Sequence, residues 1–345
     1  MKISWEQGRW MPTFVKGGAM GVVDGLPVYA AGVTFPWRET EMSWYWDIAR
    51  GDWFPVNPPL PLGRAYTQGV TLKDGLLVLG GRKFIPGATS SLRDAWWLRR
   101  NKKKFCWTQL PDMLYPRTTP NIGVYGNKIL AFGGGEWEKS QGGAFATRHL
   151  TNYEILDLDN LDKGWKDMCS LPFTPLTGSA FASIGGSAYV FGGYECWTED
   201  NRRKIRNYST AWRYDFGEDE WIQLADLPFM MHAMSAVPFE EWIFLMAGAI
   251  KFNLYGLDSC YHTFPYVEKG NPNQRLIGDY SDLVFAYNIG TNSYQILEDR
   301  LPVGNADIRA TIIGNRIYIA GGETVDPALS NTSNAFIVGT IYNNS

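Results

Sequence analysis

Apolar and polar positions alternate in short runs along the whole of this chain, and six of the runs end in the same way. A strand-length apolar stretch closes on two small residues at LPVYAAG (ending at Gly32), LLVLGG (Gly81), ILAFGG (Gly134), AYVFGG (Gly193), IFLMAG (Gly248) and IYIAGG (Gly322). Runs of this length, bounded by turn residues and rich in β-branched and aromatic side chains, predict strands rather than helices. Two further marks keep step with the small pairs. Pro12, Pro61, Pro228 and Pro302 each stand 19 residues before the first small residue of their pair, and Pro172 stands 20 before. Seven or eight residues ahead of those prolines comes an aromatic, at Trp5, Trp53, Trp165, Trp221 and Tyr294, while one repeat departs, with Trp107 close to Pro111 and an extra Pro116.

Self-similarity at intervals of about 50 to about 75 residues marks a repeat architecture. Each repeat reads as one four-stranded antiparallel blade, with the small pair where the backbone bends as the second strand ends and the aromatic packed between blades. The expected fold is all-β, a single six-bladed kelch-type β-propeller over 1–345, with blades near 13–60, 61–113, 114–172, 173–228, 229–302 and 303–345 plus 1–12. After IYIAGG only one more strand follows, around 335–341, so the last blade lacks the strand that carries the aromatic. Trp5 stands at the right distance before Pro12 to supply it. Residues 2–6 are therefore expected to pair beside 335–341 and close the ring, removing its open edges.

Turn chemistry divides the two faces. The connections between first and second strands are tight pairs such as Asp24-Gly25, Asp74-Gly75, Gly126-Asn127 and Gly314-Asn315, residues that suit hairpin turns. The loops after the small pairs are long, and long loops on one face of a rigid scaffold are where function is usually placed. Polar chemistry gathers on that face. Arg64 and Arg117 each lie 16 residues before their pair and are expected to project toward the central channel. Arg82, Lys83, Glu136, Glu138, Glu195, Lys251 and Glu323 follow the pairs, and Arg38 joins Phe35 and Trp37 in the first long loop. Arginine forks hold carboxylates, aromatics stack on sugar rings and Glu serves as acid or base, so a small anionic sugar or oligosaccharide is the expected ligand. Arg38, Arg64, Arg82, Arg117 and Tyr261 are the candidate substrate-binding residues. Glu136, Glu195, Glu323 and His232 are the catalytic candidates, His232 because it approaches the channel.

Composition narrows the partners. A formal charge of −3 offers no positive field for nucleic acid. The basic run Arg99, Arg100, Lys102, Lys103 and Lys104 falls in a turn on the opposite face and reads as solvated. No stretch approaches 18 uninterrupted apolar residues and the first residues lack a signal-like run, so no membrane partner and a cytoplasmic setting are expected. Four cysteines lie far apart without CxxC spacing, and His149, His232 and His262 are scattered, so no metal and no cofactor are expected. Oligomeric state is left open, a homo-oligomer included.

VYAAGVTFPW at 28–37, PLGRAY at 61–66 and IAGGET at 319–324 resemble the N-acetylneuraminate (sialic acid) epimerase or mutarotase family of kelch propellers, and the Phe-Pro pair after the first glycine-ended strand is similar to its circularly permuted branch. The resemblance implies inversion of a sugar's anomeric centre, with a Glu after a strand-two glycine and an Arg a few residues later. Glu323 and Glu136 match the first half of that pattern, and Glu195 with Arg202 or Arg206 matches it more loosely. Two other readings of the same residues remain: a uronate lyase or glycosidase with His232 or Tyr261 as base, and a kelch module that only binds proteins. A copper radical oxidase would need a Tyr, Cys and His ligand set that three scattered histidines do not suggest.

Overall fold

The computed structural model describes residues 1–34, 38–83, 91–139, 145–174, 176–199, 202–251, 261–263, 280–323 and 332–342. Its strands form a ring of six antiparallel blades of four strands each, the short Val15–Lys16 adding a fifth strand to the first. From the channel outward, the first blade runs Ala19–Val23, Leu26–Thr34, Arg38–Asp47 and Asp52–Pro55. The innermost strands of the next five are Gln68–Leu72, Asn121–Tyr125, Ala180–Ile184, Ser235–Phe239 and Arg309–Ile313. This is a six-bladed β-propeller, as the repeat predicts.

Ring closure follows the expected route. Lys2–Gln7 pairs antiparallel with Phe336–Tyr342, from Lys2 opposite Tyr342 to Gln7 opposite Ile337, and becomes the outermost strand of the sixth blade. Trp5 stands opposite Gly339, where its ring lies across the strand in space that a β-carbon would fill. The strand-four aromatics each lean back on the blade before. Trp53 meets Phe336 with centroids 4.8 Å apart, Trp221 meets Phe132 at 4.9 Å, and the Trp165 indole N–H donates to the Pro111 carbonyl at 2.8 Å. Trp107 packs with Val28, Ala30 and Leu60 of the first blade, so the irregular repeat keeps the same contact. These rings are core.

The small pairs explain why the blades interlock. Both members have left-handed backbone in every blade, for example Gly80 and Gly81 at φ 52° and 97°, and Gly321 and Gly322 at 68° and 112°, a region where glycine carries no steric cost. The amide of each second member donates to a carbonyl of the next blade: Gly32 to Arg64, Gly81 to Arg117, Gly134 to Leu176, Gly193 to Met231, Gly248 to Asn305 and Gly322 to Val15, at 2.7–3.0 Å. The sixth bond returns to the first blade and completes a circle. One turn differs by a residue from expectation. Lys73 and Asp74 make it, with Lys73 at φ 55°, and Gly75 instead lies in the strand beneath the Trp97 indole.

The loops after the small pairs are partly strands. In the third blade Gly135–Lys139 pairs with Phe145–His149. In the fourth, Tyr194–Glu199 pairs with Arg202–Asn207, and Tyr261–Thr263 of the fifth joins them. The two assemblies touch where the Cys196 amide donates to His149 Nε2 at 2.9 Å. Among the described residues no helix is long and apolar enough to cross a membrane.

Removing residues 1–8 should expose the edge of Phe336–Tyr342 and uncover the apolar surface that Ile3 and Trp5 cover. The expected outcome is a lower Tm and aggregation, read by calorimetry and size-exclusion chromatography; a monomer of unchanged Tm would refute closure by this strand. Gly192→Ala should also destabilise, by about 1–3 kcal/mol, because its φ is 56° and a β-carbon there meets the Met231 carbonyl.

Candidate functional site at the channel mouth

Counting back from the first small residue of each blade places the mouth of the channel. Sixteen positions earlier stand Val15, Arg64, Arg117, Leu176, Met231 and Asn305, all buried. Two positions further on, Gly17, Tyr66, Thr119, Gly178, Ala233 and Asp307 all take left-handed backbone, φ 49° to 64°, and turn the chain into the innermost strand. Some of these residues are also bonded from blade to blade, as Thr119 N–H to the Tyr66 carbonyl at 2.8 Å and Asp307 N–H to the Ala233 carbonyl at 2.8 Å. Gly17 leaves bare backbone. A β-carbon there would lie 3.2 Å from the Tyr66 ring and 3.3 Å from Asp307 Oδ2, so an aromatic and a carboxylate close in on this buried strip of floor.

Arg309 closes the channel beneath. It is 6% exposed, and its guanidinium donates to the Gly18 carbonyl at 2.5 Å, the Thr67 carbonyl at 3.4 Å and Asp307 Oδ1 at 2.8 Å. One side chain thus braces the sixth, first and second blades. Below it the channel encloses about 210 Å³ lined by Val70, Thr71, Phe181, Ser183, Ser235 and Thr311 among others.

Beside Gly17 three blades converge on one carboxylate. Lys16, 3% exposed, donates to Glu323 Oε1, and Tyr280 hydrogen-bonds the same carboxyl. Glu323 itself is held by its amide, which donates to the Ala306 carbonyl at 2.7 Å and to Asn305 Oδ1 at 2.8 Å. Burial pushes the Glu323 carboxyl above the usual carboxylate range, while Lys16 and Tyr280 pull it back and Asp307 adds to the rise. Burial and the adjoining carboxylate push the Tyr280 phenol up, so it stays protonated and donates.

Of the catalytic candidates, Glu323 alone has its carboxyl in this cluster. The difference is one of phase. Glu323 is the first residue after its pair, in step with Arg82 and Tyr194, whereas Glu136 and Glu195 are one residue later. Successive strand residues face opposite ways, so these two glutamates sit across their hairpins from arginines: Glu136 to Arg148 at 2.7 Å and Glu195 to Arg206 at 3.4 Å. Both belong to a hairpin rim, each paired within its own hairpin, and neither carboxyl joins the Glu323 cluster. His232 is half-buried, with its ring edge on Tyr194 at 4.9 Å between centroids. It lies in Met230–His232, before the inner strand instead of at its start.

Among the binding candidates, Arg82 is at the mouth. Its guanidinium carbon lies 4.1 Å from the Trp137 ring centroid and 4.7 Å from that of Tyr66, the two rings being stacked at 6.3 Å. Arg64 and Arg117 require correction. Both are fully buried in the blade wall and do not project into the channel. Arg64 forks Asp94 with two bonds of 2.7 Å and caps the Gly80 carbonyl. Arg117 pairs with Glu154 at 3.0 Å, both side chains at zero exposure, and caps the Gly133 carbonyl. Asn305 does the same for Gly321, so this register position serves the small pair rather than a ligand. Arg38 is exposed on its strand, next to Phe35 and Trp37, which lie outside the described residues, as do the side chains of Tyr261, Lys251 and Glu138. Among the described residues no three His, Cys, Asp or Glu are placed to hold a metal ion.

Lys16, Tyr66, Asp307, Arg309 and Tyr280 were not singled out by the sequence reading. Lys16, Tyr66 and Asp307 carried a usable signal, since they fall one or two positions after the register already marked by Arg64 and Arg117.

No family model matches the chain. A kelch-like protein, terF, of Aspergillus terreus is 24% identical over 264 residues, 72% of this chain and 52% of that protein. That similarity agrees with the six small-residue-paired blades of the structure. The fold is a kelch-type propeller. N-acetylneuraminate epimerase 1 of Escherichia coli is 22% identical to the propeller over 184 residues, 50% of this chain and 48% of that protein. The N-acetylneuraminate epimerase of Brucella suis is 35% identical over 74 residues, 21% of this chain and 19% of that protein. The propeller's matches thus span about half the length of the first two of these relatives.

Glu154→Leu should strand the Arg117 charge in the wall and lower stability by about 3–5 kcal/mol, seen as a lower urea midpoint. Glu136→Gln, whose partner Arg148 is 59% exposed, should change it by no more than about 1 kcal/mol. Equal effects would contradict the division into wall and rim.

Proposed function

We propose that the propeller binds an anionic sugar at the channel mouth and isomerises it, as a mutarotase or epimerase of the sialic-acid type. The observation that carries this reading is the Glu323 carboxyl, raised by burial and joined by Lys16 and Tyr280 where the fifth, sixth and first blades meet. The names of the N-acetylneuraminate epimerase relatives support it.

Anomer exchange asks little beyond one well-placed proton carrier. The Glu323 carboxylate takes the proton of the anomeric hydroxyl and, as the carboxylic acid, passes that proton to the ring oxygen. The bond between the anomeric carbon and that oxygen breaks to leave an open-chain carbonyl, and closure on the other face reverses both transfers. A carboxyl with pKa moved toward neutrality serves both directions. Arg82 offers a planar fork for the sugar's carboxylate, and the Tyr66 and Trp137 rings offer apolar faces to the sugar ring.

Proton NMR of N-acetylneuraminate, with glucuronic and galacturonic acids beside it, tests the reading. The protein should speed anomer exchange with no new product, and Glu323→Gln should slow it by about 10²-fold to 10⁴-fold. The base form is lost as pH falls through a raised pKa, so the rate should drop on the acid side above the usual Glu value of about 4.3. An unsaturated uronate absorbance would instead favour a lyase using His232. No exchange and no product across the panel would leave a protein-binding propeller.

A further inference from the structure

We infer that Tyr280 and Lys16 are positioning residues that hold the Glu323 carboxylate from two sides, so that it meets the ligand ionised and in one orientation beside Gly17. Its role toward a sugar rests on the isomerase reading; the clamp itself does not.

The geometry points to a built device. The three groups come from different blades, and each is tied to the inter-blade circle. Lys16 lies in Val15–Lys16, paired with Val33 and Thr34, and the Val15 carbonyl receives the Gly322 amide. Glu323 follows Gly322 directly, with its amide held by Ala306 and Asn305. Tyr280 bridges Ala249, and the next residue, Ser281, donates to the Gly248 carbonyl at 2.7 Å. The Tyr280 carbonyl also packs on Gly304 in space that a β-carbon would fill, so the chain is shaped to bring this tyrosine in close. Two donors from rigid backbone on one largely enclosed carboxylate remove its freedom to turn.

Electrostatics give the clamp a measurable sign. Lys16 and Tyr280 lower the Glu323 pKa, whereas burial and Asp307 raise it. Among the described residues, the charged and titratable groups around the mouth include Asp307, held by Arg309 at 2.8 Å, Arg82 over the Tyr66 ring, and Tyr29. Removing a donor destabilises the carboxylate, and removing the Asp307 charge stabilises it.

The test is an infrared titration of the Glu323 carboxyl in the full chain without ligand, with the band assigned by difference against Glu323→Gln. Tyr280→Phe and Lys16→Met should each move the midpoint to higher pH, Lys16→Met by about one unit or more, and Asp307→Asn should move it lower. Lys16→Arg, which keeps the charge, should bring it back. In variants that exchange anomers, the acid limb should follow the midpoint, with kcat falling more than KM changes. Unmoved midpoints in both Tyr280→Phe and Lys16→Met would overturn the inference. Shifted midpoints in a protein that exchanges no sugar would uphold the clamp and remove the isomerase reading. Circular dichroism separates either result from a loss of fold.

Discussion

The amide of the second small residue in each blade donates to a buried carbonyl of the next, and this circle of six bonds sets where everything else lies. A hydrogen bond of this kind contributes only about 1 kcal/mol net. Its geometric demand is larger, because the donor strand must end in left-handed backbone with no room for a side chain on the neighbour's carbonyl. Glycine meets that demand in ten of the twelve positions, Ala31 and Ala247 being the exceptions at φ 61°. Each blade then sits at a fixed distance and tilt from the next, and the strand-four aromatics fill the wedge that the tilt leaves.

The same circle places the channel mouth. The residue accepting each bond is followed by one that pairs with the segment after the small pair of its own blade and then by one that turns into the channel, so three consecutive positions do three different jobs in every blade. Several of these positions carry only small residues, as Ala65, Gly178 and Ala233 show. At the junction of the sixth, first and second blades they carry Lys16, Asp307 and Tyr66 instead. Chemical asymmetry around the mouth thus arises by substitution at equivalent positions, without any change in backbone plan.

Charge at the mouth is confined by the same logic. Arg64 and Arg117 put their cations into the wall, where Asp94 and Glu154 satisfy them, and Glu136 and Glu195 are matched by arginines across their hairpins. The carboxylates placed over the floor are Glu323 and Asp307, each opposite a cation, Lys16 or Arg309. A burial-raised carboxyl beside such a pairing is the arrangement that proton-transfer sites use.

The sequence by itself determined the repeat, the number of blades and the closing strand. Each rests on local spacing: a glycine pair, a proline 19 residues before it and an aromatic before that. Such marks survive in one dimension because every blade must meet the same steric demand. The site was legible only in part. Glu323 and Arg82 were found because they follow glycine pairs, but the same rule also selected Glu136 and Glu195, since a count after glycine does not show on which side of a strand a residue falls. Arg64 and Arg117 looked like channel residues because their spacing repeats, yet their carboxylate partners stand 30 and 37 residues away. Only the tertiary structure decided that Lys16, Tyr280 and Glu323 meet. They are drawn from three blades, Lys16 standing 307 residues from Glu323, and what brings that lysine to the other two is the closing of the ring.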